Sequence, residues 1–173
     1  AVSAAHLLAE LYCMLLLPVL LFMGASWPLA ITSTLFAVHL IVSMVTDARH
    51  FLLDHENTFV LIALAALKVF LDDEPALGHA LTGVGVLLFF GAAYLLYRRL
   101  GRAGLGAGDI LYSAAVGSIT GFPECLPVFG AAGLMAALYS WIQSRGSAPA
   151  PFGACLGAAT LAWLFLHPFL PSS

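Results

Sequence analysis

The chain has 173 residues, of which 62% are hydrophobic and 9% charged, and its formal net charge is −3. Soluble domains carry roughly 45–50% apolar and 25% charged residues, and so short a chain has too little interior to hide the excess, so a soluble globular fold is excluded and lipid is the expected solvent. No basic run or basic-aromatic stripe accompanies the mild acidity, and no nucleic acid is expected as a partner.

Seven apolar segments follow one another, at 6–23, 28–46, 58–71, 77–97, 110–121, 128–143 and 152–169. A helical span takes about 20 residues, so six or seven of them fill the chain. The expected fold is all-α: a polytopic transmembrane helical bundle of six to seven spans, forming a single integral membrane domain over residues 1–173. The short third and fifth segments read either as tilted partners of longer helices or as helices that continue into their polar flanks. Ala114, Ala115, Gly117, Gly130, Gly133, Gly153 and Gly157 make the last three segments dense in small residues, which lets helices approach closely in lipid. Cys13, Cys125 and Cys155 show neither paired metal spacing nor a disulfide framework and read as packing residues.

Five of the six basic residues, Arg49, Arg98, Arg99, Arg102 and Arg145, fall in the second, fourth and sixth loops. By the positive-inside rule these loops face the cytoplasm. The third loop is instead acidic, with Asp72, Asp73 and Glu74, and reads as a solvated outer loop. Lys68 is the exception among the bases and is expected to snorkel from the end of the third span. His39 falls inside the second span, where it should face the bundle interior and satisfy itself with a hydrogen bond. The polar group of His50, Asp54, His55 and Glu56 reads as a solvated loop, because adjacent side chains point apart; no metal and no cofactor is expected.

Carboxylates are costly in a membrane, which makes their positions informative. Asp47 ends the second segment, and Asp109 opens the fifth directly after the glycine-rich stretch 104–108. Each alone has a bland meaning: Asp47 as an interfacial acid paired with Arg49 or solvent, Asp109 as a helix cap. Together they lie on one side of the membrane. Two carboxyls brought into one partly desolvated site do not both ionise easily, so one keeps a proton while the other accepts one, the combination that hydrolysis of a peptide bond needs. Gly106 and Gly108 would shape this loop, letting a substrate strand or the loop after Asp47 lie against the backbone and accepting positive φ if required. The same two acids also suit a small proton- or cation-coupled transporter, and on these residues alone that alternative stays open.

Three segments resemble the type IV prepilin peptidases. Asp47-Ala-Arg-His-Phe-Leu-Leu resembles the first aspartate segment of that family. Gly104-Leu-Gly-Ala-Gly-Asp109, followed by Ala114-Ala115-Val116-Gly117, is similar to its GxGD segment, and Pro151-Phe-Gly-Ala-Cys-Leu156 to its PFGPFL stretch. The three occur in the family's order over most of the chain. The resemblance implies an intramembrane aspartyl endopeptidase of minimal form, with Asp47 and Asp109 as the catalytic dyad. It would remove the basic leader from prepilins or pseudopilins whose hydrophobic helix sits in the lipid bilayer, acting at the cytoplasmic face of a bacterial inner membrane. The chain differs from the family pattern at Leu111, where a lysine is common, and at Asp54, where a proline often follows the first motif. No counterpart of the cytoplasmic domain with paired CxxC motifs is present, so N-methylation of the processed protein is not expected. A relative that binds pseudopilins without cutting them is the remaining alternative.

Overall fold

The computed structural model describes residues 4–72, 75–101, 106–144 and 150–169. Asp73, Glu74, Arg102, Gly104, Leu105 and Arg145, invoked above for loop charge and for the second motif, lie outside the described residues. The described residues form seven α-helices, with no strand among them: α1 (Ala4–Phe22), α2 (Trp27–His50), α3 (His55–Leu71), α4 (Ala76–Arg99), α5 (Ala107–Thr120), α6 (Cys125–Ser144) and α7 (Phe152–Leu166), the last running into a single 3₁₀ turn. The all-α expectation holds. The helices coincide with the seven apolar segments, and several extend past them into polar flanks, so that Asp47 lies inside the last turn of α2 rather than in a loop.

Local chemistry sets the helix ends that matter. Ser26 stands extended before α2, and proline occupies its first turn, where a missing N–H costs nothing. The other end of α2 stops at Phe51, which takes a left-handed conformation (φ 52°, ψ 35°) and donates its N–H to the Asp47 carbonyl at 2.8 Å. A left-handed non-glycine residue costs about 1–2 kcal/mol; here it turns the chain sharply at the aspartate and into Leu53. Asp54 then caps α3, its carboxylate accepting from the Glu56 N–H at 3.0 Å, as suits the first residues of a helix.

The helices α2, α4 and α6 are each long and apolar enough to cross a membrane. α4 and α6 expose apolar faces, among them Leu81, Leu88, Phe89, Leu134, Trp141 and Ile142. In contrast α5, with 14 residues, is about 21 Å long, short of a bilayer core of about 30 Å. It can afford that because it is enclosed, packing against α3, α4, α6 and α7. Its residues Tyr112, Ala115, Val116 and Ile119 join Phe36 and Leu40 of α2, Leu61 of α3 and Leu156 of α7 in the main buried cluster.

Lipid provides no hydrophobic drive for helix association, so close contact has to come from small residues and dispersion. A β-carbon at Gly117 would lie 2.8 Å from Val86 Cγ2, and one at Gly83 would lie 3.2 Å from the Ala114 carbonyl oxygen. The α4–α5 crossing therefore depends on a glycine on each helix. The density of small residues also has exceptions: Gly130 and Gly133 on α6 face open space.

The polar groups that face each other between α2 and α3 are partnered. Asn57, at the start of α3, donates to the His39 carbonyl at 2.9 Å and to Ser43 Oγ at 2.6 Å, and its Oδ1 meets His39 Nδ1. His39 is thus satisfied inside the bundle, as expected. Lys68 departs from expectation. Instead of snorkelling into solvent it is 6% exposed and bonds Asp72 Oδ2 at 2.8 Å, one helical turn on. Burial leaves an ammonium dependent on a nearby carboxylate, so Asp72 acts as a partner and not as a free member of a solvated loop.

Candidate active site

Three helix ends meet where the aspartates lie. The end of α2 brings Asp47, the start of α5 brings Asp109, and the start of α7 brings Gly153 and Ala154.

Asp47 is 4% exposed. Its Oδ2 accepts the Ala154 N–H at 2.8 Å, and the neighbouring Gly153 N–H adds to the field that favours the ionised carboxylate. These are free N–H groups of the first turn of α7, which have no carbonyl of their own helix to bind, and the positive end of the helix dipole points the same way. The segment 151–156 has a physical purpose in this setting. Pro151 stands at the N-cap, needing no donor, and Gly153 has no side chain because a β-carbon there would lie 3.0 Å from Asp47 Oδ2 and 2.9 Å from Leu53 Cδ1.

Asp109 is the third residue of α5, with Gly106 at the N-cap. The Gly106 N–H donates to Asp109 Oδ2 at 2.8 Å while the Asp109 N–H donates to the Gly106 carbonyl at 3.1 Å. The cap is thus Gly106, and Asp109 folds its carboxylate back over the helix start. The glycines do not use positive φ: Gly106 has φ −82° and Gly108 is helical. What Gly108 supplies is space, since a β-carbon would lie 2.9 Å from Leu53 Cβ and 3.2 Å from the Leu53 carbonyl oxygen. The loop after Asp47 does lie against the second glycine. Leu53 is wedged between Gly108 and Gly153, and so locks the positions of all three motifs.

The two carboxylates act on each other electrostatically, and both act on the Tyr112 hydroxyl; Asp47 also acts on Cys155. The structure therefore brings Asp47, Asp109, Gly106 and Gly108 to one end of the bundle. It adds Leu53, Gly153, Ala154 and Tyr112, whose roles the residues alone did not disclose. One further group had a legible signal. His39, Ser43 and Asp47 recur every four residues along α2, a polar stripe down one face of an apolar span, and Asn57 covers it from α3. A carboxyl pair supplied from two elements, with one member buried and held by backbone donors, has the parts for acid–base work on a bound amide.

A cleft of about 530 Å³ opens at the opposite end, lined by Leu16, Ser33, Lys68, Asp72, Trp163 and His167 among others. It is remote from the carboxylates and contributes nothing to their chemistry.

The chain is 31% identical over 172 residues to the type 4 prepilin-like proteins leader peptide-processing enzyme of Escherichia coli O78:H11, covering 96% of this chain and 63% of that protein. It is 30% identical over 122 residues to the prepilin leader peptidase/N-methyltransferase of Xanthomonas campestris pv. campestris, covering 65% of this chain and 42% of that protein. The chain thus spans less than two thirds of the length of these relatives. No solved structure shows a significant match. Its apolar helices make it a multi-pass membrane protein. A match to the type IV leader peptidase family over residues 34–141 runs from within α2 to within α6 and takes in both aspartates, so the chain belongs to that family.

Proposed function

We infer that the chain is a membrane aspartyl endopeptidase that removes the basic leader of prepilins or pseudopilins at the cytoplasmic face of a bacterial inner membrane, its seven helices acting as one peptidase unit. The observation that carries this reading is the convergence of Asp47 and Asp109, well separated within the family match, at one end of the bundle, where Leu53 packs against both Gly108 beside Asp109 and Gly153 beside Asp47. Arg49 closes α2 and Arg98 and Arg99 close α4 at that same end, which by the positive-inside rule is the cytoplasmic one. A substrate with an apolar helix would lie in the bilayer beside the lipid-facing helices, and its basic leader would reach the aspartates from the cytoplasm.

The chemistry follows from a carboxyl pair sharing one proton. The ionised member takes a proton from water as the water oxygen attacks the scissile carbonyl. The protonated member gives its proton to the carbonyl oxygen, forming a neutral tetrahedral diol. Collapse of the diol breaks the C–N bond, with a proton passing to the leaving amine, and the pair returns to its singly protonated state. The titration belongs to the pair rather than to either residue. No metal and no cofactor takes part in these steps.

The test is cleavage of a prepilin-like peptide, with basic leader and apolar helix, by the protein reconstituted in vesicles. Wild type should cut, and Asp47→Asn and Asp109→Asn should each lose about 10³-fold or more, because the two groups work as a unit. Cleavage that survives either substitution overturns the dyad. Wild-type vesicles that leave every leader peptide intact but pass protons only when both aspartates are present would make the protein a transporter instead.

A further inference from the structure

Tyr112 is fully buried, and its hydroxyl makes no hydrogen bond within the protein. A buried phenol O–H normally has a partner, and leaving one without costs free energy. Ser113, the adjacent residue, is also without one, but a serine in a helix can turn its short side chain to a carbonyl of the preceding turn. The phenol is too long and too rigid for that. Its hydroxyl needs a partner from outside its own helix.

Its place in the bundle narrows where a partner can stand. Asp109 and Tyr112 are three residues apart on α5, Met44 and Asp47 three apart on α2, and Ala154 and Gly157 three apart on α7. Residues at this spacing share a helix face, one turn apart. The upper turn holds the two carboxylates and the Ala154 N–H that grips Asp47. In the lower turn, Tyr112 meets α7 at Gly157, where a β-carbon would lie 2.6 Å from the phenol oxygen and 2.8 Å from Met44 Sδ. A side chain at 157 is thus incompatible with the phenol's position, and α7 carries a glycine there. Gly153, whose β-carbon would lie 3.0 Å from Asp47 Oδ2, and Gly157 are one turn apart on α7, so the carboxylate and the phenol oxygen lie along the same stripe of that helix. The hydroxyl lies within electrostatic reach of both Asp47 and Asp109.

We propose that Tyr112 is a positioning residue of the aspartate site, its O–H donating through one water to the Asp47–Asp109 pair and holding the carboxyls in the geometry in which they share a proton. The proposal rests on the aspartyl peptidase reading and deepens it. Burial without a partner is stabilised poorly, so the hydroxyl is retained at a cost to folding that its service to the pair explains.

The experiment uses the full chain in vesicles with the prepilin-like peptide and compares wild type, Tyr112→Phe, Asp47→Asn and Asp109→Asn. Phenylalanine fills the same space and removes only the hydroxyl. The expected result is kcat lowered about 10- to 100-fold in Tyr112→Phe, the range seen for loss of one preorganised donor up to its lower bound, with KM unchanged and thermal midpoint equal to wild type or higher. A Phe variant with kcat within twofold of wild type, while both Asn variants are inactive, overturns the role of Tyr112 and leaves the dyad standing. A Phe variant that loses kcat only along with its thermal midpoint also overturns it, since the hydroxyl would then be structural. Cleavage by either Asn variant overturns the peptidase reading on which the proposal depends.

Discussion

Asp47 Oδ2 accepts the Ala154 N–H at 2.8 Å across a sequence separation of 107 residues. The same carboxylate that is the candidate base or acid is therefore also the cap of α7. This double duty separates two variants. Asparagine keeps an acceptor for the Ala154 N–H and alanine does not. Asp47→Asn should lose cleavage while keeping a near wild-type thermal midpoint in detergent. Asp47→Ala should lose cleavage and about 1 kcal/mol of stability as well. Equal midpoints for the two variants would mean that the contact does not hold α7.

Gly106 and Gly108 differ in what they supply, although they are two residues apart. Gly106 contributes its N–H to Asp109, and at φ −82° any residue fits its backbone. A β-carbon there would lie 3.3 Å from Asp109 Oδ2, so Gly106→Ala shifts that carboxylate slightly and should cut a few-fold more slowly than wild type. Gly106→Pro suits the same φ but removes the donor, and its kcat should fall by about tenfold or more. Peptide cleavage by the two variants, compared at equal folded fraction, checks the distinction.

Leu53 carries the packing between the motifs. Gly153→Ala would set a β-carbon 2.9 Å from Leu53 Cδ1 and 3.0 Å from Asp47 Oδ2, and overpacking of this kind costs about 1–3 kcal/mol. Trimming the leucine relieves one of these contacts and leaves the other. The double variant Gly153→Ala, Leu53→Ala should be more stable than the sum of its single effects predicts, with cleavage still impaired. Strict additivity in thermal unfolding would show that the two residues do not press on each other.

Asn57 joins α3 to the polar stripe of α2 through His39 and Ser43. Asn57→Ala strips three groups of their partner inside the bundle, and should destabilise by about 1–3 kcal/mol. Ser43 stands one turn before Asp47, so kcat should drop too, and Asn57→Asp, which sets a carboxylate oxygen against the His39 carbonyl that the amide donates to, should be at least as damaging as alanine. Thermal midpoints and cleavage rates of the two variants, measured side by side, decide this.

Hydropathy settled the helices. Seven apolar stretches became seven helices because in lipid every backbone N–H and carbonyl has to be satisfied within its own segment, a constraint that acts locally and is visible along the chain. Asp47 and Asp109 were legible for a related reason: an acid at the edge of an apolar span is too costly to be incidental. The order of the three motifs also told which residues belong together.

What tertiary structure alone decided is how those pieces touch. Nothing in the run Pro151-Phe-Gly-Ala says that its N–H groups grip Asp47, and nothing in Leu53 says that it fills the space left by Gly108 and Gly153. Lys68 read as a snorkelling end residue until the structure showed it buried against Asp72, and nothing in the fifth apolar segment singled out Tyr112. Each of these facts depends on which helix faces which, and that depends on close packing between elements far apart in the chain, where a single β-carbon decides whether two backbones can meet.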